Sequence, residues 1–145
     1  MNIEPLLTSN NDEWETPPEI FSELDKEFNF TLDPCCFPET AKCEKYYTPI
    51  ENGLLQDWTG QRVFMNPPYG RQIGLWIKKA YEESVRGTLV VCLIPARTDT
   101  AYWHDYVMKA KEIRYIRGRL KFHLGGKKIN SAPFPSAIIV FGGLK

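Results

Sequence analysis

The sequence predicts one α/β domain in which helices cover both faces of a mostly parallel β-sheet. The segment TLVVCLI, residues 88–94, is a continuous apolar run, as expected of a central strand covered on both faces. Apolar residues at helical spacing predict a helix over residues 72–86. Predicted strands and helices alternate along the chain, which is typical of a three-layer α/β fold.

The first predicted elements are a helix and a short strand. Thr16 is predicted as the N-cap of the helix, with Pro17 at the first helical position and Glu19 three residues after the cap. The segment FTLD, residues 30–33, then predicts a short buried strand that ends at a proline.

The middle and the end of the chain supply the other predicted elements. The segment RVFM, residues 62–65, predicts a strand that stops at Asn66 and the two prolines after it. A second amphipathic helix is predicted near residues 100–110. The segments EIRYIR, residues 112–117, and SAIIVF, residues 136–141, predict the last two strands.

The segment 35–61 departs from this alternation. Only nine residues separate Cys36 from YYT, residues 46–48, which predicts a strand. A right-handed crossover between parallel strands ordinarily needs a dozen residues or more. We therefore expect either a helix reduced to a turn or an irregular connection.

Size and charge limit the classes of function. The 145 residues suffice for one domain with a real core, and residues 1–12 are expected to form a loose tail. The 18 basic and 18 acidic residues give no net charge, so charge alone does not indicate a nucleic-acid binder. Basic residues are concentrated between residues 109 and 128, which predicts one basic end. The absence of a membrane-length apolar run and of a signal-peptide pattern favours an intracellular protein.

The cysteines do not predict a metal site. Cys35 and Cys36 are adjacent, so they lack the spacer that zinc ligands usually have, and no histidine lies near them or near Cys43. We expect these thiols and that of Cys92 to be reduced and partly buried.

A stiff polar turn follows the strand predicted at residues 62–65. Pro67 and Pro68 remove two backbone donors and fix two φ angles. The amide side chain of Asn66 precedes the prolines, and the aromatic ring of Tyr69 follows them. The turn therefore holds an amide, a proline carbonyl and a flat ring in one rigid cluster.

This turn and three other segments resemble the motifs of a known enzyme family. The sequence NPPY, residues 66–69, resembles the [DNS]PP[YFW] signature of amino-methyltransferases that use S-adenosylmethionine. Residues 14–28 resemble the cofactor-binding segment before the first strand, residues 31–36 the first cofactor loop, and residues 53–58 the acidic loop beside the adenine ring. Their order is similar to that of phage-type DNA adenine-N6 methyltransferases over nearly the whole chain.

The resemblance implies a fold and an activity. The fold would be a Rossmann-like methyltransferase sandwich of three layers, formed by residues 1–145, with an antiparallel C-terminal strand and an abbreviated 35–61 region. The enzyme would transfer a methyl group from S-adenosylmethionine to N6 of an adenine in DNA.

The same resemblance gives roles to the turn. The Asn66 side-chain oxygen and the Pro67 carbonyl would accept hydrogen bonds from the target amine and localise its lone pair. Pro68 would keep the turn rigid, and Tyr69 would stack on the base extruded from the duplex. Direct transfer needs no strong base, because the methylated nitrogen is cationic and loses a proton readily.

The resemblance also implies a set of residues for the cofactor. Asp33 would hold the methionine ammonium, and Asp57 would accept from the adenine amino group. The loop departs from the family pattern, because Phe37 follows Cys36 where the family has Gly-x-Gly. The predicted cofactor-binding residues are Trp14, Thr16, Pro17, Asp33, Pro34, Cys35, Asp57 and Trp58.

DNA contacts are expected from basic side chains that flank the pocket, namely Arg71, Arg97, Arg119 and Lys121. The length of the chain leaves little room for a separate target-recognition domain. We therefore expect a weak or very short sequence preference, set by the loops at residues 70–73, 97–103 and 119–135.

Two other functions stay open at this point. The NPPY chemistry suits any planar nitrogen, so a protein glutamine amide or a base nitrogen in RNA is an alternative substrate. The missing Gly-x-Gly leaves open a non-catalytic binding module on a methyltransferase scaffold.

Overall fold

The computed structural model describes residues 14–124, 127–128 and 131–142. The predicted tail at residues 1–12 lies outside the described residues, as does part of the predicted loop at residues 119–135. The helices are α1 (Pro18–Phe28), α2 (Ile73–Val85) and α3 (Ala101–Asp105). The strands are β1 (Leu32–Asp33), β2 (Lys45–Tyr46), β3 (Arg62–Met65), β4 (Leu89–Pro95), β5 (Glu112–Tyr115), β6 (His123–Leu124), β7 (Lys127–Lys128) and β8 (Ser136–Phe141).

Six of the described strands form one mixed sheet in the order β2-β1-β3-β4-β8-β5. β1 pairs in parallel with β2 and with β3, and β3 pairs in parallel with β4. β8 lies antiparallel between β4 and β5. β6 and β7 form a separate antiparallel ribbon. The predicted mostly parallel sheet with an antiparallel C-terminal strand is therefore confirmed.

The register of the sheet places α1 and α2 on opposite faces. Phe64 of β3 and Phe141 of β8 pair with adjacent residues of β4, so their side chains point to opposite faces. Phe21 of α1 packs against Phe64 with ring centroids 5.1 Å apart. Tyr81 of α2 packs against Phe141 with ring centroids 6.3 Å apart. The predicted three-layer arrangement is confirmed.

The predicted elements match the observed ones best where the hydrophobic pattern is strongest. The strands at residues 62–65 and 136–141 have the predicted bounds. The second predicted helix, near residues 100–110, is shorter than expected, because it ends at Asp105 and a 3₁₀ turn, Val107–Lys109, follows it.

The predicted N-cap of α1 was wrong. Pro17 occupies the N-cap position and Pro18 the first helical position, and no side chain of the described segment caps this helix. The Thr16 hydroxyl is absent from the cap because it accepts a hydrogen bond from the side chain of Asn66.

The connection between β1 and β2 contains turns and no helix over residues 34–44. The Asp33 carboxylate accepts hydrogen bonds from the backbone N–H of Cys35 at 3.3 Å and of Lys42 at 3.0 Å. The backbone N–H of Tyr47 donates to the Asp33 carbonyl at 3.0 Å. One residue thus organises the short connection, which contains turns, bends and irregular chain in place of a crossover helix, as the two expected alternatives allowed.

Gly53 allows the loop at residues 53–58 to pack against the end of β1. A Cβ atom at Gly53 would lie 2.0 Å from the Pro34 carbonyl oxygen and 3.2 Å from the Trp76 ring. The Trp58 Nε1–H donates to the Gly53 carbonyl at 3.0 Å. Only glycine allows the two backbones to approach this closely.

We expect Gly53→Ala to destabilise the fold by about 1–3 kcal/mol or more, because the loop must move away from Pro34. Gly74→Ala is the matched control, since its Cβ would meet Tyr102 at 3.8 Å, an ordinary contact, and alanine favours a helix. Thermal unfolding followed by circular dichroism measures both variants. An unchanged Tm in Gly53→Ala would contradict this packing.

Candidate active site

The site lies at the carboxyl ends of β1 and β3, which are neighbours in the sheet. From β1 the chain goes to β2 on one side and then returns to β3 on the other, so the strand order reverses between β1 and β3. Ligands of open α/β sheets bind in the crevice at such a point. Asp33 ends β1 and Asn66 follows β3, so the structure brings the ends of these two predicted segments together.

The amide of Asn66 is bound on its nitrogen side. Nδ2 donates to the Trp14 carbonyl and, at 2.9 Å, to the Thr16 hydroxyl oxygen. A carbonyl oxygen can only accept, so the atom that faces Trp14 must be the NH₂ group. The other amide atom, Oδ1, is buried and has no hydrogen-bond partner among the described residues.

An unpartnered buried acceptor is unusual, because desolvation of such a group costs about 1–3 kcal/mol. The fold nevertheless keeps Oδ1 of Asn66 in this condition at the reversal of the strand order. The arrangement leaves one oriented acceptor whose hydrogen-bonding capacity is unused within the described residues.

The segment that binds Asn66 is held by the C-terminal half of the chain. Glu15 and His123 exchange two backbone hydrogen bonds, of 2.9 and 3.0 Å. The ring of Trp14 makes edge contacts with Phe122 and Phe134, at centroid distances of 5.7 and 5.3 Å. The predicted cofactor segment therefore lies directly against the NPPY turn.

Four aromatic rings, those of Trp14, Tyr69, Phe122 and Phe134, form one cluster beside this turn. Tyr69 is 5% exposed and makes edge contacts with Phe122 at 6.1 Å and Phe134 at 5.6 Å. Its hydroxyl donates to the Leu93 carbonyl at 2.9 Å, and burial raises its pKa well above the usual value. Pro67 is buried and Pro68 is half-buried.

Sequence reasoning missed the roles of Phe122 and Phe134 in this cluster. Phe122 lies in the basic segment that follows β5, where an aromatic residue between cations is the signal that could have marked it, and Phe134 lies beyond that segment between two prolines. Helical or strand periodicity could not have identified Phe122 and Phe134, because neither residue belongs to a regular element.

Asp33 is the buried carboxylate of the site. It is 4% exposed, and desolvation raises its pKa to about 6, although the hydrogen bonds from Lys42 and Cys35 oppose this shift. Pro34 is buried and Cys35 is half-buried in the loop that follows. Thr16 and Pro17 are buried beside the NPPY turn.

Asp57 and Trp58 lie apart from Asn66. The ring of Trp58 is fully buried beneath the Lys79 ammonium, at 5.2 Å, and its backbone N–H donates to the Glu83 carboxylate at 3.3 Å. Both partners belong to the second half of α2, which runs away from the carboxyl edge of the sheet. Asp57 is exposed and binds Thr59, and these hydrogen bonds lower its pKa. The cofactor contacts suggested for Asp57 and Trp58 stay predictions.

The four predicted DNA-binding cations are exposed at the carboxyl edge. Arg71 follows the end of β3, Arg97 the end of β4, and Arg119 and Lys121 the end of β5, and these strands run in the same direction. The Arg97 guanidinium lies 5.7 Å from the centre of the Phe134 ring. Arg119 donates to a backbone carbonyl at residue 132, at 3.4 Å. Two of the four are thus linked to the segment that carries the aromatic cluster.

The described residues include no group of three or more His, Cys, Asp or Glu side chains placed to hold a metal ion. Burial raises the pKa of the Cys43 thiol to about 12 and the pKa values of Cys36 and Cys92 well above the usual range. In the same part of the chain, every helix is too short or too polar to cross a membrane.

Comparison with known proteins decides the family. The family model described as DNA N-6-adenine-methyltransferase (Dam) matches residues 5–143, which is nearly the whole chain. The chain belongs to the DNA N-6-adenine-methyltransferase family. The resemblance found in the sequence motifs is thereby confirmed.

Individual relatives agree with this family. A DNA N-6-adenine-methyltransferase of Haemophilus phage HP1 (strain HP1c1) is 30% identical over 138 residues, which cover 92% of this chain and 80% of the relative. A DNA N-6-adenine-methyltransferase of Escherichia phage T1 is 32% identical over 120 residues, or 81% of this chain and 50% of the relative. The putative methyltransferase YfdM of Escherichia coli (strain K12) is 38% identical over 70 residues, or 43% of this chain and 77% of the relative.

The raised pKa of Asp33 predicts how stability depends on pH. The folded protein holds this proton more tightly than the unfolded chain, so its stability rises as the pH falls from about 6 to about 4. Asp33→Asn removes the titration. We expect the wild type to gain about 3 kcal/mol relative to this variant over that range, as measured by urea unfolding at a series of pH values.

Asp57→Asn is the control for this experiment. The pKa of Asp57 is lowered in the folded state, so the wild type should lose stability relative to Asp57→Asn on acidification. Equal slopes for the two variants would contradict the assigned environment of Asp33.

Proposed function

We propose that the protein transfers a methyl group from S-adenosylmethionine to N6 of adenine in DNA, inside a bacterial host. Membership of the DNA N-6-adenine-methyltransferase family and the names of the two phage relatives support the reaction. The buried, unpartnered Oδ1 of Asn66 at the switch point of the sheet is the observation that supports the position of the active site.

The first task of the site is to activate a poor nucleophile. The lone pair of adenine N6 is delocalised into the ring, so the nitrogen attacks weakly. Oδ1 of Asn66 and the carbonyl oxygen of Pro67 are acceptors for its two N–H groups. Hydrogen bonds to both would draw the nitrogen towards tetrahedral geometry and localise the lone pair. Both acceptors belong to the proline-stiffened turn, so they need little reorganisation.

The residues present fit the methyl donor. Asp33 places a buried carboxylate at the switch point, where backbone N–H groups of Cys35 and Lys42 donate to its two oxygens. Such a group suits the cationic ammonium of a methionine moiety. S-adenosylmethionine, when bound, supplies a methyl group on a sulfonium centre. Alignment of the amine with that centre is then the main contribution of the protein.

The aromatic cluster would receive the target base. The Tyr69 ring is fixed by the hydrogen bond from its hydroxyl to Leu93. Because Tyr69 is only 5% exposed, a base that stacks on it requires the contacts with Phe122 or Phe134 to open. Stacking on an aromatic ring contributes about 1–3 kcal/mol per base, which can compensate for the loss of the contacts with Phe122 or Phe134.

We expect Asn66→Ala to lower the rate of adenine methylation by about a hundredfold or more, because the oriented acceptor is lost. The affinity for S-adenosylhomocysteine should stay unchanged in the same variant. Incubation with S-adenosylmethionine and unmodified DNA, followed by digestion to nucleosides and mass spectrometry, measures N6-methyladenine. Calorimetry measures the affinity.

Three results would contradict the proposal. Unchanged adenine methylation in Asn66→Ala would remove Asn66 from the chemistry. Transfer of labelled methyl groups by the wild type to RNA or protein, and not to DNA, would identify a different substrate. Failure of the wild type to bind S-adenosylhomocysteine at millimolar concentration would indicate a non-catalytic module.

The exposed cations at the carboxyl edge predict the salt dependence of DNA binding. We expect Arg97→Ala and Arg119→Ala each to weaken binding to all DNA sequences alike and to reduce the slope of log affinity against log salt by about one. Arg62→Ala is the matched control, because Arg62 is exposed at the amino end of β3. An equal effect of Arg62→Ala would contradict this DNA-binding edge.

A further inference from the structure

The hydroxyl of Thr16 does not cap α1, although the local sequence predicts that it does. A threonine just before the first turn of a helix ordinarily caps that helix. Thr16 is instead 2% exposed, and its hydroxyl oxygen accepts a hydrogen bond from Nδ2 of Asn66 at 2.9 Å. Departures from local rules concentrate at functional sites, so this contact points to a role beyond folding of the helix.

Trp14 and Thr16 both bind the nitrogen of the Asn66 amide, and the Trp14 carbonyl decides which way the amide faces. The amide has two N–H groups, and its nitrogen bonds both the Trp14 carbonyl and the Thr16 hydroxyl. If the amide rotated by half a turn, Oδ1 would face the Trp14 carbonyl and two acceptors would repel each other. The segment at residues 14–16 therefore holds Oδ1 on the side away from itself.

The two hydrogen bonds also strengthen Oδ1 as an acceptor. Donation from an amide nitrogen polarises the amide and increases the negative charge on its oxygen, and such effects are larger in a buried setting. Oδ1 of Asn66 is buried, so the polarisation is poorly screened by water.

We infer that Thr16 is a positioning residue for methyl transfer, acting through the amide of Asn66. This inference rests on the proposed function and assigns to the Thr16 hydroxyl a task different from contact with the methyl donor. A residue that orients the acceptor of the target amine affects the chemical step more than the binding of either substrate.

Thr16→Val tests the inference, because valine keeps the shape of threonine and removes the hydroxyl. We expect kcat for adenine methylation to fall about tenfold, which corresponds to about 1.4 kcal/mol and to the loss of one hydrogen bond. The KM for DNA and the affinity for S-adenosylhomocysteine should change little. Thr16→Ser should restore kcat, because serine supplies the same hydroxyl.

Thr88→Val is the matched control. Thr88 is 3% exposed, and its hydroxyl has no hydrogen-bond partner among the described residues. It precedes β4 at the opposite edge of the sheet, so its replacement should leave kcat unchanged.

A second measurement does not depend on activity. The side-chain amide protons of Asn66 should give nitrogen–proton NMR signals that are absent in Asn66→Ala, and one of them should shift and exchange faster with water in Thr16→Val. A wild type that methylates no adenine would refute the proposed function, and the NMR signals would still report whether the contact exists.

The inference is overturned by any of three results. The first is an unchanged kcat in Thr16→Val. The second is a marked loss of affinity for S-adenosylhomocysteine in Thr16→Val, which would assign Thr16 to the methyl donor instead. The third is a Thr16→Ser variant as slow as Thr16→Val, which would show that the methyl group and not the hydroxyl of Thr16 matters.

Discussion

The hydrogen bonds of the Asn66 amide join parts of the chain that lie far apart in sequence. They connect the end of β3 to the segment at residues 14–16, and the backbone pairing of Glu15 with His123 extends this connection to the ribbon after β5. The NPPY turn is therefore rigid for two reasons. Its prolines restrict the backbone, and its amide is held by a segment that is itself paired with the C-terminal half of the molecule.

Much of the fold could be predicted because its signals are local. The continuous apolar run of β4 and the helical spacing of α2 follow from side chains within a few residues of each other. The NPPY turn is equally local, since a proline pair after a strand restricts the backbone whatever its surroundings. The order of the motifs added the family, and the family implied the three-layer sheet with an antiparallel C-terminal strand.

The rest depends on contacts that no local pattern encodes. The neighbours of Thr16 in sequence predict that it caps a helix. Only the fold brings Asn66, fifty residues further along the chain, within hydrogen-bonding distance of its hydroxyl. Phe122 and Phe134 join the aromatic cluster through irregular segments, so periodicity says nothing about them. The motif around Asp57 predicts a contact with the cofactor. The loop that contains Asp57 packs against Pro34 at its start and against α2 at its end.

The position of β8 has a consequence for synthesis on the ribosome. β8 is the last of the described strands in sequence, yet it lies between β4 and β5 and is the strand through which β5 joins the sheet. Until it emerges, one edge of β4 is unpaired and β5 has no partner within the sheet. The nascent chain therefore cannot close this sheet early, and the sheet is completed only when β8 has left the exit tunnel.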